Sequence, residues 1–391
     1  MKINGKALFI LAVILIFSSC FSDWKGDAGT FSISIGGSGG GRTALPWNNE
    51  IDSGDLEHVI TLEGPGPKQE ETVTGTGTVR FSVVPGLWNI TVKAYEVKPD
   101  GDEEFRYLKA VGSKTVDIKP GPNGPITIRM GFMEMVWVQG GTFQLGKNLG
   151  TGGGGDVTPV SNVTVSGFYI GKYEVTQAQW EAVMGSLPGN LSSSYGKGDE
   201  YPIYYISWYD MLVFCNKLSI MEGLTPAYSI SNSTNPDVWG PVPNSINAAW
   251  DSVSMISGST GYRLPTEAQW EYAAKGGNTG ETFTYAGSDD PDEVAWYGVT
   301  YGTSHVVGTK APNGLGLYDM SGNVWELCWD WYGSHTSENK TDPTGPSSGS
   351  IRVQHSGSWN ESVGTVRSVS RGGPYPNDRY DDLGFRVARP Q

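Results

Sequence analysis

The sequence predicts an α+β domain rich in loops and low in regular elements, preceded by a small all-β sandwich. Three observations carry this. The 391-residue chain holds 55 Gly and 14 Trp but only 17% charged residues, so its turns use glycine and its core uses indoles. Short alternating runs with turn signals between them fill residues 29–131. Beyond Met133, strand-like runs alternate with short helices that open on capping residues. The length suffices for two or three domains, each with its own core. The net charge of −14 argues against nucleic acid or an anionic membrane surface as an electrostatic partner.

The first 20 residues read as a secretory signal. Lys2 and Lys6 precede the apolar run ALFILAVILIF, which is too short to cross a bilayer, and Ser18-Ser19-Cys20 follows. Small residues before a cysteine resemble a bacterial lipobox, with Phe17 where such motifs usually carry Leu. The expectation is a lipid on Cys20 and an anchor in the bacterial cell envelope, on the outer-membrane surface. That leaves Cys215 and Cys328, which form neither a disulfide framework nor a metal-spaced cluster.

Residues 21–45 hold a Gly/Ser-rich linker and the first strand. Gly36 to Gly40 formally contains G-x-S-x-G, but in low complexity without a strand-to-helix context, so it reads as linker. The runs FSISI, VRFSVV, WNITVKAYEV, KTVDI and ITIRM over residues 29–131 predict a β-sandwich spacer, immunoglobulin-like or transthyretin-like in its edge pattern. It carries no chemistry, and His58 is expected on its surface.

A second domain is expected over residues 133–391. MVWVQGGTFQLG reads as strand, turn, strand. Thr176 with Gln179, Ser207 with Asp210, and Thr266 with Gln269 are three capping-box patterns, each opening a helix. Met211, Leu212, Phe214, Cys215 and Leu218 form an apolar stripe on the second helix, which places Cys215 in the core. Gly276 stands just past the end of the third. Residues 223–260 read as a long irregular insertion. In NGLGLYDMSGNVWELCWDWYG, Asp319 and Glu326 bracket a glycine turn, and carboxylates with turn carbonyls suit a hard cation such as Ca²⁺. A solvated turn satisfies the same spacing. Cys328 is expected to be packed.

The terminal stretch 352–386 has neither helical nor strand periodicity, yet carries several Arg and large aromatics. It reads as an ordered loop and as the candidate ligand-binding region. Gly357-Ser358-Trp359, Arg367, Arg371, Arg379 and Leu383 to Arg386 make a frame. The residues between are the candidate contacts: Asn360, Glu361, Gly364, Thr365, Ser370, Gly372, Gly373, Pro374, Tyr375, Tyr380, Asp381 and Asp382.

Four ordered stretches resemble the formylglycine-generating-enzyme (sulfatase-modifying-factor) family: MVWVQGGTFQLG; YEVTQAQWEAVMG with YPIYYISWYDMLVFCNKLS; YRLPTEAQWEYAAKGG; and GLYDMSGNVWELCWDWYG with the terminal GSW to LGFR frame. The resemblance implies a variant of the C-type lectin fold with structural Ca²⁺. It assigns that ion to the side chains of Asp319 and Glu326 and the carbonyls of Gly322 and Val324. A second calcium site of the family uses an Asn where Trp296 stands here, and is not expected. The family's oxidase chemistry needs two copper-binding thiols just after the GSW-like motif; the matching positions are Glu361 and Val366, so copper is not expected. Family branches that use iron have His ligands, but His58, His305, His335 and His355 are scattered along the chain. The terminal stretch also resembles retroelement-diversified variable proteins, in which residues reachable from Asn codons vary within a fixed frame.

The function expected from these readings is a non-catalytic, surface-displayed lipoprotein that binds a protein or glycan ligand through its last loop. The alternative is an oxidase of the formylglycine-generating type, disfavoured by the missing thiols. A purely structural envelope protein is the third reading.

Overall fold

The computed structural model describes residues 28–35, 56–74, 77–100, 103–125, 133–151, 155–298 and 302–391. The signal segment, Cys20, the glycine stretch Gly36 to Gly40 and the run ITIRM (126–130) lie outside the described residues.

The first part is all β: β1 (Gly29–Ile35), β2 (Leu56–Glu63), β3 (Gln69–Thr74), β4 (Gly77–Val83), β5 (Gly86–Asp100), β6 (Glu103–Ile118) and β7 (Gly121–Pro122). They form two sheets, ordered β3-β2-β5-β6 and β4-β1-β7. Phe31, Ile33, Phe81 and Val83 of one sheet pack against Ile60, Leu62, Trp88, Ile90 and Val92 of the other, which makes this a sandwich. Trp88 is fully buried, and its indole N–H donates to the Val84 carbonyl at 2.7 Å. Gly64 is required beside it, because a Cβ there would lie 2.5 Å from the indole ring.

The sequence reading missed β2 and β3, and it misplaced His58. That histidine is 6% exposed and shares the inward face of β2 with Leu56, Ile60 and Leu62. The other sheet of the sandwich packs on the inward face of β2 at Ile60 and Leu62, so that face offers no water to a polar residue. Burial lowers the imidazole pKa, against hydrogen bonds involving the Val73 and Leu56 backbone.

The second part contains β8 (Met135–Val138), β9 (Gly141–Leu145), β10 (Ser161–Val165), β11 (Phe168–Gly171), α1 (Gln177–Met184), α2 (Trp208–Met221), β12 (Tyr228–Ser229), α3 (Ala248–Asp251), β13 (Ser254–Met255), α4 (Glu267–Ala274) and α5 (Pro291–Val294). It continues with β14 (Trp325–Trp331), β15 (Lys340–Thr341), β16 (Arg352–His355), β17 (Leu383–Gly384) and β18 (Ala388–Arg389). Its sheets are small: β15-β10-β9, β18-β11-β8, β16-β14-β17 and the pair β12-β13.

All three capping boxes form as the sequence pattern requires, on Thr176, Ser207 and Thr266. Each such cap is worth about 1 kcal/mol. Gly276, just past α4, takes φ +76°. The stripe on α2 is buried, Cys215 included, and Cys328 is fully buried as well. Burial raises both thiol pKa values, so neither is a thiolate near neutrality.

The insertion 223–260 is less irregular than its composition suggests. It holds β12, α3 and β13, and Trp239 and Trp250 meet edge to face at 5.7 Å. Trp250 in turn packs on Tyr209 of α2 at 5.5 Å. Strand β14 (WELCWDW) is buried on both faces, so it shows no alternation.

Candidate ligand-binding surface

The terminal stretch is held from beneath by its arginines. Arg352 lies between two indoles, 3.5 Å from the Trp208 ring centroid and 3.3 Å from that of Trp331, and donates to the Trp329 carbonyl. Arg367 donates to the Gly364 and Gly155 carbonyls. Arg371 donates to Glu267 at 2.9 Å and to the Gly333 carbonyl. Arg379 reaches Asp210 of the α2 capping box at 2.8 Å. Arg386, fully buried, pairs with fully buried Glu326 at 2.5 Å. A guanidinium can bridge several acceptors at once, so each arginine fixes its loop segment on the body in one orientation.

Gly357 takes φ +68°, and a Cβ there would sit 2.7 Å from Val366. The turn therefore needs glycine. Val366 is fully buried against Tyr285, Val294 and Ala295. Of the two positions matched to the family's thiols, one is thus core, while Glu361 is half-buried and its carbonyl accepts from Gly298 N–H.

Not all twelve candidate contacts reach solvent. Ser370 is buried, with its hydroxyl donating to the Gly364 carbonyl. Pro374 is buried, and its carbonyl accepts from Arg352 N–H. Gly372 pairs with Gln354 through two backbone hydrogen bonds, and a Cβ on Gly373 would lie 2.3 Å from the Arg352 carbonyl oxygen. Gly372, Gly373 and Pro374 belong to the frame because the loop folds back onto β16 there, and Ser370 belongs to it through its burial and its bond to Gly364. Gly364 and Thr365 lie on a turn closed by Thr365 N–H donating to the Ser362 carbonyl.

Asn360, Glu361, Tyr375, Tyr380, Asp381 and Asp382 build the accessible surface. Tyr375 and Tyr380 are each 49% exposed. Asp378 ties them together: its carboxylate accepts from Tyr375 N–H at 2.9 Å and from the Tyr380 hydroxyl at 3.1 Å. Ser358 donates to Asp382 at 2.8 Å. Burial raises the Asp382 pKa, and the charges of Asp381 and Glu361 add to the shift against the Ser358 bond. The Tyr380 phenol is raised by burial, then by Asp378 and Asp382.

Two residues of this surface escaped sequence reasoning: Tyr195 and Tyr205. Tyr195 stacks on Trp359 at 6.0 Å and meets Tyr205 edge to face at 6.5 Å. Tyr205 adopts φ +58°, unusual for a bulky residue, and its N–H donates to the Tyr380 carbonyl. Its phenol pKa is raised by burial, then by Asp381, Tyr195 and Asp382. The available signal was the pair Tyr204-Tyr205 just before the Ser207 cap, which reads equally well as core.

The calcium assignment meets a different chemistry. Glu326 has both oxygens engaged: Arg386 donates to each, and the Trp270 indole N–H donates to Oε2 at 2.6 Å. The Gly322 carbonyl accepts from the Ser356 hydroxyl at 2.8 Å. Asp319 accepts from Gly308 N–H through Oδ2 and keeps only Oδ1 without a partner. A guanidinium already stands where a divalent cation would need the carboxylate. The residues as arranged do not fit a hard cation that takes six to eight oxygens. Among the described residues no group of three His, Cys, Asp or Glu is placed to hold a metal. Removing calcium with EGTA is therefore expected to leave the melting temperature within about 2 °C, by differential scanning fluorimetry. A larger fall that added calcium reverses would show that the ion displaces Arg386.

His335 and His355, far apart in sequence, converge on Glu267, at 3.1 and 3.6 Å. Burial alone would raise the Glu267 pKa, but the hydrogen bond with His335, the nearby His355 and the charge of Arg371 hold it well below the usual carboxylate range. Because Arg371 closes on the same carboxylate, the group is an ion-pair anchor.

Comparison with known proteins agrees with this architecture. Residues 128–391 match the sulfatase-modifying factor enzyme 1-like domain. The chain is 40% identical over 277 residues to the chaperone protein LppX of Paenibacillus barcinonensis, covering 66% of this chain and 89% of that protein. It is 29% identical over 285 residues to the formylglycine-generating enzyme of Mus musculus, covering 65% and 74% respectively. Among solved structures, Treponema denticola variable protein 1 superposes with a TM-score of 0.59 at 33% identity, covering 76% of this chain and 99% of that one. The fold is the formylglycine-generating-enzyme type of C-type lectin-like domain. By its matched region and by these relatives, the chain belongs to the sulfatase-modifying factor enzyme 1-like family.

Proposed function

We propose that this protein is a non-catalytic lipoprotein of the bacterial envelope, anchored through Cys20, that binds a protein or glycan ligand through its terminal loop. The observation that carries the reading is the replacement of the family's two thiol positions: one by buried Val366, the other by Glu361 beside an aromatic surface. Copper(I) chemistry has no ligand there, because carboxylate and alkyl groups do not replace soft thiolates. In its place stand rigid rings, Tyr195, Tyr205, Tyr375 and Tyr380, and adaptable polar groups, Asn360, Glu361, Asp381 and Asp382. Retroelement-driven variation of these exposed positions, with the arginine anchors kept, fits the same reading. No helix among the described residues is long and apolar enough to cross a membrane.

The carboxylates of Glu361, Asp378, Asp381 and Asp382 gather around tyrosine rings, which favours ligands that present ammonium or guanidinium groups. The test is retention of a peptide array graded in charge by the purified chain. Peptides carrying several Lys or Arg are expected to bind, and polyglutamate is not. Tyr380→Ala and Tyr205→Ala leave the charge unchanged and are expected to weaken binding about tenfold or more, as for aromatic hot spots. Unchanged retention by both variants would rule out this surface. Stoichiometric copper with oxygen-dependent conversion of a sulfatase-peptide cysteine would establish the oxidase alternative.

The name of the Paenibacillus relative favours a second reading, in which the surface holds an unfolded segment of a partner protein. Suppression of aggregation of a heated client at equimolar ratio would support it. Binding of folded ligand without such suppression would exclude it.

A further inference from the structure

Where Tyr195 and Tyr205 meet, the terminal surface has a corner walled by rings. The two ring planes stand at 73° with centroids 6.5 Å apart, and Tyr195 is backed by the Trp359 ring, stacked at 6.0 Å. Trp359 is buried, whereas Tyr195 and Tyr205 are each half-buried and keep accessible area. Backbone bonds hold the walls in place. Tyr205 N–H donates to the Tyr380 carbonyl, the Ser304 N–H and hydroxyl both donate to the Tyr195 carbonyl, and Trp359 N–H donates to the Asn323 carbonyl. Rings fixed in this way lose little freedom when a ligand lands on them.

Unpaired charge lies beside the rings. Asp381 and Glu361 are half-buried, and neither carboxylate has a hydrogen bond or ion pair among the described residues. Burial first, and then both of these charges, hold the neighbouring Asp382 carboxyl above its usual pKa. The Tyr205 phenol is raised by burial, then by Asp381, Tyr195 and Asp382, so the negative charges reach the corner itself. The nearby arginines are engaged on the body, Arg379 with Asp210 and Arg386 with Glu326.

Rings and charge together select the kind of cation. A primary ammonium holds its charge on three N–H donors and stays strongly hydrated. A trimethylammonium has no donor and spreads its charge over methyl groups, which gain from packing on ring faces. The carboxylates attract it without having to accept a hydrogen bond. They also repel a phosphate or carboxylate carried next to the cation, which disfavours phosphocholine and betaine and favours a lysine side chain in a basic peptide. We propose, resting on the ligand-binding role given to this surface above, that the Tyr195–Tyr205 corner seats a trimethylated lysine of a basic partner peptide.

The test is fluorescence anisotropy of the full chain with a short Lys-rich peptide. Its central lysine is unmodified, trimethylated, or replaced by the neutral tert-butyl isostere. The trimethylated peptide is expected to bind about tenfold more tightly than either other form. Tyr195→Ala is expected to bring the three affinities within about twofold of one another, and Tyr195→Phe to keep the preference. Tyr205→Ala, at the other wall, is expected to act as Tyr195→Ala does, so the result does not hang on the folding of one variant. Asp381→Asn with Glu361→Gln should weaken the trimethylated peptide and narrow its lead over the tert-butyl form. Equal binding of the unmodified and trimethylated peptides, with Tyr380→Ala still weakening both, would overturn the corner and leave the surface a ligand site. Retention of phosphocholine vesicles as strong as that of the trimethylated peptide would overturn it as well. Failure of every peptide to bind would sink the ligand-binding reading and the corner with it.

Discussion

Replacing Arg386 with alanine is expected to lower the unfolding free energy by about 3–5 kcal/mol, the range for breaking a buried ion pair from one side. Both partners of the Arg386–Glu326 pair are fully buried. Arg386 also donates to the Gly171 and Tyr318 carbonyls, so one truncation frees groups on two further segments. The variant leaves Glu326 with the Trp270 N–H and brings it into unrelieved repulsion with Glu174 and Asp319. Those two already have folded-state pKa values raised by burial, Asp319 to about 6. A carboxyl whose folded pKa lies above its unfolded value favours folding at low pH and loses that advantage as pH rises. The deficit is therefore expected to be largest near pH 7 and to shrink toward about pH 4, near the unperturbed carboxylate pKa. Urea denaturation at both values measures it. A loss below about 1 kcal/mol at neutral pH would show that the surroundings re-satisfy Glu326.

Trp208→Ala is the second large effect, at about 3–5 kcal/mol, as for other buried tryptophans. Trp208 is fully buried, donates to the Cys328 carbonyl at 3.0 Å, and packs against Trp329 at 5.5 Å. It also forms one wall of the Arg352 slot, so its loss leaves that guanidinium half-covered. Trp208→Phe keeps a ring but not the indole N–H, and should cost roughly half as much. Near-UV circular dichroism with denaturation reads both. Tyr380→Ala, exposed on the loop, is the control and should stay within about 0.5 kcal/mol of the parent.

The sequence carried the helical part of the fold with little ambiguity. Three capping boxes fix where α1, α2 and α4 begin, because a side chain and a backbone N–H must meet at a set spacing. The strands were harder to read. Strand β2 hid behind Glu57 and His58, since alternation weakens when an inward position is polar. Strand β14 showed no alternation because both its faces are buried. Within the candidate surface, the exposed positions Tyr375, Tyr380 and Asn360 were legible as polar and aromatic residues in a segment without periodicity. Ser370, Gly372, Gly373 and Pro374 have the same composition but serve the frame, and only the return of the loop onto β16, with the burial of Ser370, separates the two groups. Tyr195 and Tyr205 join from segments more than 150 positions upstream of Trp359 and Tyr380, a proximity that only the tertiary structure reveals. Likewise, the carboxylates matched to calcium carried no sign in sequence that Arg386, 60 positions away, would take Glu326.

Anchoring by arginines has an evolutionary consequence. Each fastening is made by a guanidinium reaching down to the body, and none requires the identity of Asn360, Tyr375, Tyr380 or Asp381. Exchanges at those four places leave the fastenings untouched, so a lineage can sample many faces at nearly constant thermal robustness. Loss of a single fastening would instead forfeit the whole repertoire at once.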